Sequence, residues 1–208
     1  MVQVSKEGYV PASYGTLDRF ASYFYQVREI LRTNPASVLE VGVGDGVTSE
    51  YIKRQTNVRY TTADYAEDLG ADVVADVRAL PFDADSFDTV CAFEVLEHLP
   101  FDDFDAAVRE LARVAKTHVL ISLPHFGPPI KFRCKVPFLP EMSFAFKIPV
   151  PRAHTFNGQH YWEIGKRHYP VSRIRDALKR HGILENDFVP FENQYHHFFI
   201  LRKKVSHE

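Results

Sequence analysis

Val38-Leu39-Glu40-Val41-Gly42-Val43-Gly44-Asp45-Gly46 is an apolar run that opens directly into a Gly-x-Gly-x-Gly turn. Residues 38–41 have the length and β-branched content of a buried strand. The glycines allow a tight turn in which a ligand can lie against bare backbone. Residues 47–55 then read as a helix, which completes the strand–turn–helix order of a nucleotide-type site. A dinucleotide-binding turn requires Gly-x-Gly-x-x-Gly. Val47 stands where its third glycine would be, which argues against NAD or FAD and so against a nicotinamide-dependent oxidoreductase.

Outward from this turn the chain alternates between two periods. Leu17, Phe20, Phe24, Val27, Ile30 and Leu31 mark a helix over residues 14–33, and Asn34-Pro35 ends it, because proline disfavours helical geometry in the residue before it. Strands are predicted at 36–41, 58–63, 72–75, 87–93 and 117–123. An amphipathic helix over 101–114 carries Phe104, Ala107, Val108, Leu111 and Val114 on one face. Such β–α alternation implies a single α/β domain, a Rossmann-like, mostly parallel sheet with helices on both faces. A helix at 171–181 closed by Gly182, and strands at 183–189 and 195–202, complete a seven-stranded sheet with an antiparallel last strand. Residues 124–151 break the pattern. They are rich in proline, phenylalanine, lysine and arginine without a clean period of either kind. A loop of this length is a lid or a binding element unless disordered, and Phe126, Phe132, Phe138, Phe144 and Phe146 argue against disorder. The expected organisation is thus one domain, 1–208, made of an N-terminal helical lid (1–35), a core (36–124), an insert with the acceptor region (125–170), and a last helix with two strands (171–208).

Composition narrows the class. With 208 residues, 45% hydrophobic and 25% charged, the chain has enough apolar material for one ordinary soluble core. Cys91 and Cys134 make no disulfide framework, and a reducing compartment is the simpler reading. No stretch approaches the ~18 uninterrupted apolar residues of a membrane span, and the N-terminus shows no apolar signal region; we expect a cytoplasmic protein with no stable membrane insertion. The net charge of −2 hides an asymmetry: residues 64–110 hold fourteen Asp/Glu against two Lys/Arg, whereas residues 125–181 hold eleven Lys/Arg against three Asp/Glu. The basic segment suits a polar or anionic acceptor as well as it suits ordinary surface charge. Without a dense basic stripe, and with an acidic half that repels a polyanion, nucleic acid is not the expected partner.

Further blocks follow the glycine turn in order: Thr62-Ala63-Asp64, then Ala75-Asp76-Val77-Arg78-Ala79-Leu80-Pro81-Phe82, Ser86-Phe87-Asp88-Thr89-Val90, and Glu94-Val95-Leu96-Glu97-His98-Leu99. Together with residues 38–46 this series resembles the class I S-adenosylmethionine-dependent methyltransferases. It is most similar to the type 11 subgroup that includes ubiquinone- and menaquinone-biosynthesis enzymes. The resemblance is firm over roughly residues 36–124 and loose at the ends. It implies a cofactor, S-adenosylmethionine, with S-adenosylhomocysteine as product, and a set of cofactor contacts. Gly42, Gly44 and Gly46 would lie against the methionine and ribose portions, and Glu40 would hold the amino end. Asp64 would take the ribose hydroxyls, Asp76 the adenine amino group with a backbone contact from Val77, and Phe93 and Glu94 would face the same crevice. Two of these roles also follow from the residues themselves. A carboxylate inside an apolar strand, as at Glu40, must be paired to be tolerated. An acid eighteen residues past Gly46, as at Asp64, sits near the spacing used for ribose.

Catalytic candidates are two histidines. His125 follows the fifth strand at the carboxyl end of the sheet, where open α/β proteins bind ligands, and is the better general base; His98, in the Leu-Glu-His block, is either catalytic or pocket-shaping. His160, Tyr161, Trp162 and Glu163, and Asn193, Tyr195 and His196, form two polar–aromatic clusters that would line the acceptor pocket or anchor the insert. Ten histidines raise the question of a metal, but short paired spacings are lacking: His154 and His160 are six apart, and His196 and His197 point to opposite faces of a strand. No metal is expected. The activity implied is methyl transfer to a small polar or anionic molecule, at oxygen or nitrogen. A cofactor-binding partner subunit without catalysis is the alternative. A nucleic-acid methyltransferase is less favoured, since Ser-Leu-Pro-His stands at 122–125 and no Asn/Asp-Pro-Pro-Tyr/Phe motif is present. Oligomeric state is open.

Overall fold

The structure is a computed structural model and describes Tyr9, residues 15–150 and residues 152–204. Most of the expected 1–14 portion of the lid therefore lies outside the described residues. At the centre of the sheet is β1 (Ser37–Val41), buried along its whole length. It pairs in parallel with β2 (Arg59–Asp64) on one side and β4 (Phe87–Phe93) on the other. The short β3 (Val73–Val74) extends the β2 edge, and β5 (Ala115–Pro124) extends the β4 edge, both parallel. Two further strands, β8 (Ile183–Phe188) and β9 (His196–Arg202), close that edge. The order is β3-β2-β1-β4-β5-β9-β8, with β9 antiparallel to both neighbours. The switch in winding direction falls between β1 and β4, which is where a doubly wound sheet opens a crevice at the carboxyl ends of its strands.

Alternate residues of the strands feed two cores. On one face Leu39, Val41, Val90, Ala92, Ile121 and Phe199 pack against α3 (Phe101–Val114) and α4 (Val171–His181). On the other, Val38, Tyr60, Cys91, Leu120 and Phe198 meet Ile30 of α1 (Leu17–Arg32) and Ile52 of α2 (Val47–Gln55). Burial explains most elements directly. Phe104, Ala107, Val108, Leu111 and Val114 form a single apolar stripe on α3, every one of them buried. The helix α1 behaves differently. Of the apolar positions that give it its period, only Ile30 is fully buried, while Leu17 and Phe24 are 83% and 61% exposed. The face turned inward is instead polar: Ser22, Tyr23, Gln26 and Glu29.

The insert is not aperiodic as its sequence suggested. Residues Pro129–Cys134 (β6) and Met142–Lys147 (β7) form an antiparallel hairpin, in register Ile130↔Phe146, Phe132↔Phe144 and Cys134↔Met142. Lys131 and Arg133, on the other face, lie over the Phe191 ring, and Arg133 bonds the Glu192 carboxylate. The alternation is therefore present, but its apolar face, with Phe132 and Phe144 each about three-fifths exposed, looks away from the domain. No helix among the described residues is long and apolar enough to cross a membrane.

Candidate active site

The crevice beyond the carboxyl ends of β1, β2 and β4 is built first by the glycine turn. Gly42 leaves β1 with φ +85°, its N–H on the Ala63 carbonyl, and a β-carbon there would fall 2.2 Å from Val95 Cγ2. Only glycine fits. Gly46 (φ +76°) caps α2, and the first N–H group of that helix, from Val47, bonds Asp45 Oδ1 at 3.4 Å. Residues lining the crevice include Glu40, Gly42, Gly44, Asp64, Phe93, Glu94 and His98. All seven belong to the set expected from the sequence. Gly46 borders an adjoining recess with Gly44, Lys53 and Thr62.

Each carboxylate in the crevice is set in a distinct environment. Glu40 is 3% exposed, and its Oε2 accepts a hydrogen bond from the Tyr60 hydroxyl at 3.1 Å. Burial is the chief cause that pushes its carboxyl up to about 8. Asp64, at the end of β2, accepts the N–H groups of Val43 (2.8 Å) and Ala66 (2.9 Å), so it braces the glycine turn as well as facing the crevice. Burial raises its carboxyl too, against the lowering effect of those N–H donors. Glu94 follows β4 in a left-handed conformation, φ +55°, which a bulky residue adopts only where the surroundings enforce it. The enforcement is visible: its N–H bonds the Ser122 carbonyl, Ser122 Oγ donates to Oε1 at 2.8 Å, and His196 Nε2 lies 3.5 Å from Oε2.

Asp76 borders a shallow cleft with Tyr65, Asp68 and Ala75, and Tyr65 also lines the main crevice. Its carboxylate is paired with Arg78 at 2.6 Å, which holds it below the usual range. Val77 is buried in the core and can offer only backbone.

The histidines divide between the two faces of the sheet. His196, on the α1 face, bonds Ser22 Oγ at 2.7 Å through Nδ1. His197, on the other, bonds Asp187 at 2.8 Å and stacks on His125 with ring centres 5.2 Å apart. His125 Nδ1 is 3.1 Å from His197 Nδ1, and Lys147 donates to the His125 carbonyl. Burial, helped by Lys147, drives the imidazole down to about 3. His125 is not among the residues lining the crevice, whereas His98 is. The expected acceptor cluster likewise separates. Trp162 is wholly buried among Phe101, Phe104 and Tyr169, its Nε1–H on the Leu99 carbonyl, and so belongs to the core rather than to a pocket. Tyr161 is partly exposed against Phe156. Asn193 ties the β8–β9 turn to α1 through Asp18 O and Ser22 Oγ. His160 and Tyr195 converge on Glu163, at 3.2 and 2.9 Å.

Sequence reasoning placed α1 in a lid but did not name the side chains it turns to the crevice. Arg19, Tyr23 and Gln26 line the crevice, Tyr23 donates to Asp45 at 2.6 Å, and Gln26 accepts from Thr48 at 2.5 Å. Their spacing of four and three residues marks one polar helix face, a signal that the apolar period of the same helix obscured. Glu97, quoted only as part of the Leu-Glu-His block, was given no role of its own. Several basic residues of the segment 125–181, in turn, are engaged elsewhere: Arg133 with Glu141 and Glu192, Arg175 with Asp187, and Arg180 with Asp105.

Comparison with known proteins agrees with this geometry. Residues 39–122 match the family described as a methyltransferase domain. No curated protein sequence matches the chain. Among solved structures, the chain is similar to the 1,6-didemethyltoxoflavin N1-methyltransferase of Burkholderia thailandensis bound to 1,6-didemethyltoxoflavin and S-adenosylhomocysteine, with 17% identity, 89% of this chain and 80% of that one covered, and a TM-score of 0.60. The magnesium protoporphyrin IX methyltransferase of Synechocystis, with bound S-adenosylhomocysteine, is 15% identical over 89% and 85% of the two chains, with a TM-score of 0.58. An S-adenosylmethionine-dependent methyltransferase of Mesorhizobium loti is 15% identical over 88% and 98%, also at 0.58. At these identities the structural likeness speaks for the fold. Residues 39–122 thus carry the pattern of the methyltransferase domain family of type 11, set in a fold shared with S-adenosylmethionine-dependent methyltransferases, and together these support reading the chain as an enzyme of that kind.

Proposed function

We propose that this enzyme transfers the methyl group of S-adenosylmethionine to a small polar acceptor, at oxygen or nitrogen. The observation that carries the acceptor's character is the polarity of the crevice beyond the cofactor residues. It runs from Glu40, the glycine turn and Asp64 to a far end formed by Glu94 and His98. In this reading Glu40 receives the cofactor's ammonium group, Asp64 the ribose hydroxyls, and Asp76 with the Val77 backbone the adenine. The sulfonium then points toward Phe93 and Glu94. Because the sulfonium is already activated, the protein's work is to align the acceptor for in-line attack and to take up a proton where the acceptor carries one. The groups at that end include Arg19 beside Glu94 and His98, so the site suits a polar acceptor, neutral or anionic.

The test is methyl transfer from isotopically labelled S-adenosylmethionine into a small-molecule extract, with products resolved by mass. A labelled low-molecular-weight product is expected, together with thermal stabilisation by S-adenosylhomocysteine through mass action. Stabilisation by the cofactor without a labelled product would favour a cofactor-binding partner subunit, and label in nucleic acid alone would reject the small acceptor.

A further inference from the structure

We propose that Glu97, His98 and His160 form a binding site for one divalent metal ion of the Zn2+/Mn2+/Fe2+ class, placed at the acceptor end of the crevice. The three residues come from two places in the chain. Glu97 and His98 belong to a single helical turn (Leu96–His98) between β4 and α3, while His160 arrives from the segment after the hairpin. Their ligand atoms all lie within 4.8 Å of one another.

The first indication is Glu97. Its side chain is completely buried, and both carboxylate oxygens lack any hydrogen-bond partner among the described residues. A buried carboxylate is tolerated when a cation or hydrogen-bond donors compensate it.

The second, independent indication is the orientation of both imidazoles. His98 Nδ1 is 3.2 Å from the Gln159 carbonyl oxygen, and His160 Nδ1 is 3.2 Å from Glu163 Oε1, which also accepts the Tyr195 hydroxyl. A carbonyl or carboxylate oxygen only accepts, so each Nδ1 carries the hydrogen and each Nε2 is left with its lone pair. Both Nε2 atoms lie 3.9 Å from the same oxygen, Glu97 Oε1. That is too long for a hydrogen bond. Donors held about 2.0–2.2 Å from one shared ion stand roughly 3.4 Å apart at tetrahedral angles, so a closure of about half an ångström would bring these atoms onto one ion. Two lone pairs and a carboxylate directed at one point repel each other until a cation occupies it. A carboxylate or carbonyl behind each ligating imidazole is also the usual outer support of a metal site.

Two imidazoles and one carboxylate select a borderline transition-type ion over Ca2+, and three protein ligands leave positions open. His98 and Glu94 both line the crevice, so those positions face the acceptor. On the methyl-transfer reading, an acceptor hydroxyl oxygen takes one of them and becomes more acidic. Its proton passes to Glu94. The new carbon–oxygen bond forms as the carbon–sulfur bond breaks, and the electron pair of that bond stays on sulfur as the neutral thioether. This role deepens the proposed function and rests on it; the ion site itself rests on the side-chain geometry.

The full-length protein, stripped with chelator, is titrated with Mn2+ or Zn2+ by calorimetry, and bound metal is counted after gel filtration. One ion per chain is expected at micromolar concentration. Binding should weaken at least tenfold in His160→Asn and in Glu97→Gln, and roughly 10–100-fold in Glu163→Gln, which removes only the outer support. Uptake of no ion by the wild-type protein overturns the site, whatever the variants do. So does equal binding in folded variants, with folding checked by circular dichroism. A variant that does not fold is replaced by the visible spectrum of the Co2+-loaded wild type, where bands of a low-symmetry nitrogen–oxygen site support the proposal and those of hexa-aqua Co2+ reject it. Activity separates this proposal from the one beneath it. An ion bound at these residues without methyl transfer leaves the site and removes the reaction, whereas methyl transfer by a protein that takes up no ion removes the site and leaves the reaction.

Discussion

Replacing Glu40 by glutamine should change how the protein's stability depends on pH, by an amount that follows from where the residue sits. The carboxyl is 3% exposed, its one hydrogen bond comes from the Tyr60 hydroxyl, and burial raises it from 4.5 to about 8. A raised carboxyl favours the folded state only while both states hold the proton. Below pH ~4.5 Glu40 is therefore neutral in native and unfolded chains alike and costs nothing. Between 4.5 and 8 the unfolded chain releases the proton and the native one keeps it, so stability falls by about 1.4 kcal/mol per pH unit. At pH 7 the accumulated cost is on the order of 3 kcal/mol, and above pH ~8 it levels off. Glutamine has nearly the same shape, can still accept the Tyr60 hydrogen bond, and does not ionise. Urea unfolding of ligand-free protein should then give Glu40→Gln and wild type equal stability within ~1 kcal/mol at pH 4.5–5, with the variant ahead by roughly 3 kcal/mol at pH 7. Taking the difference between the two proteins cancels every other titrating group. The cofactor should narrow this gap. Its ammonium group favours an ionised Glu40, so wild-type binding of S-adenosylhomocysteine at pH 6–7 should release close to one proton, seen as a dependence of calorimetric enthalpy on buffer ionisation. The variant should release none and bind more weakly by about 1.5–3 kcal/mol, the range for losing a hydrogen bond to a charged group. Parallel stability curves from pH 5 to 8 would refute the burial argument, and unchanged affinity would refute the ammonium assignment.

Asp64→Ala removes the acceptor for the Val43 and Ala66 N–H groups as well as the proposed ribose contact. We expect S-adenosylhomocysteine to bind about 1–3 kcal/mol more weakly by calorimetry; an affinity equal to wild type would reject the ribose role. Trp162→Ala should cost about 3–5 kcal/mol in chemical denaturation, since the ring is wholly buried. Loss below ~1 kcal/mol combined with impaired turnover would instead restore Trp162 to the acceptor pocket.

How much of this was readable in advance depends on how local each signal is. The strand–turn–helix at residues 37–55 is set by a short apolar run and glycines with positive φ, and these constraints act within a few residues. Glu40, Asp64, Phe93 and Glu94 follow from it, because parallel strands deliver their carboxyl ends to one edge of the sheet. The alternation of elements made the parallel sheet and its two-sided helical cover legible for the same reason. Signals that depend on what an element faces were not legible. The apolar period of α1 marked a helix correctly, yet the helix turns Ser22, Tyr23 and Gln26 inward because it closes a polar crevice rather than a core. The hairpin at residues 129–147 carries a true period of two, but its apolar side is solvent-exposed, so it looked like a run of scattered aromatics.

Trp162 and His160, two residues apart, show the division most clearly. Composition placed both in one polar–aromatic cluster. The tertiary structure sends the indole into the core against Phe101 and Phe104, and the imidazole toward Glu97, sixty-three residues earlier in the chain. The sequence by itself determined the fold and which strand-end residues line the crevice, since each rests on local periodicity and on side chains fixed to strand ends. Only the tertiary structure decided what meets at the acceptor end. There the decisive contacts join residues far apart in the chain, and their geometry depends on the packing of the segment after the hairpin, which no local pattern encodes.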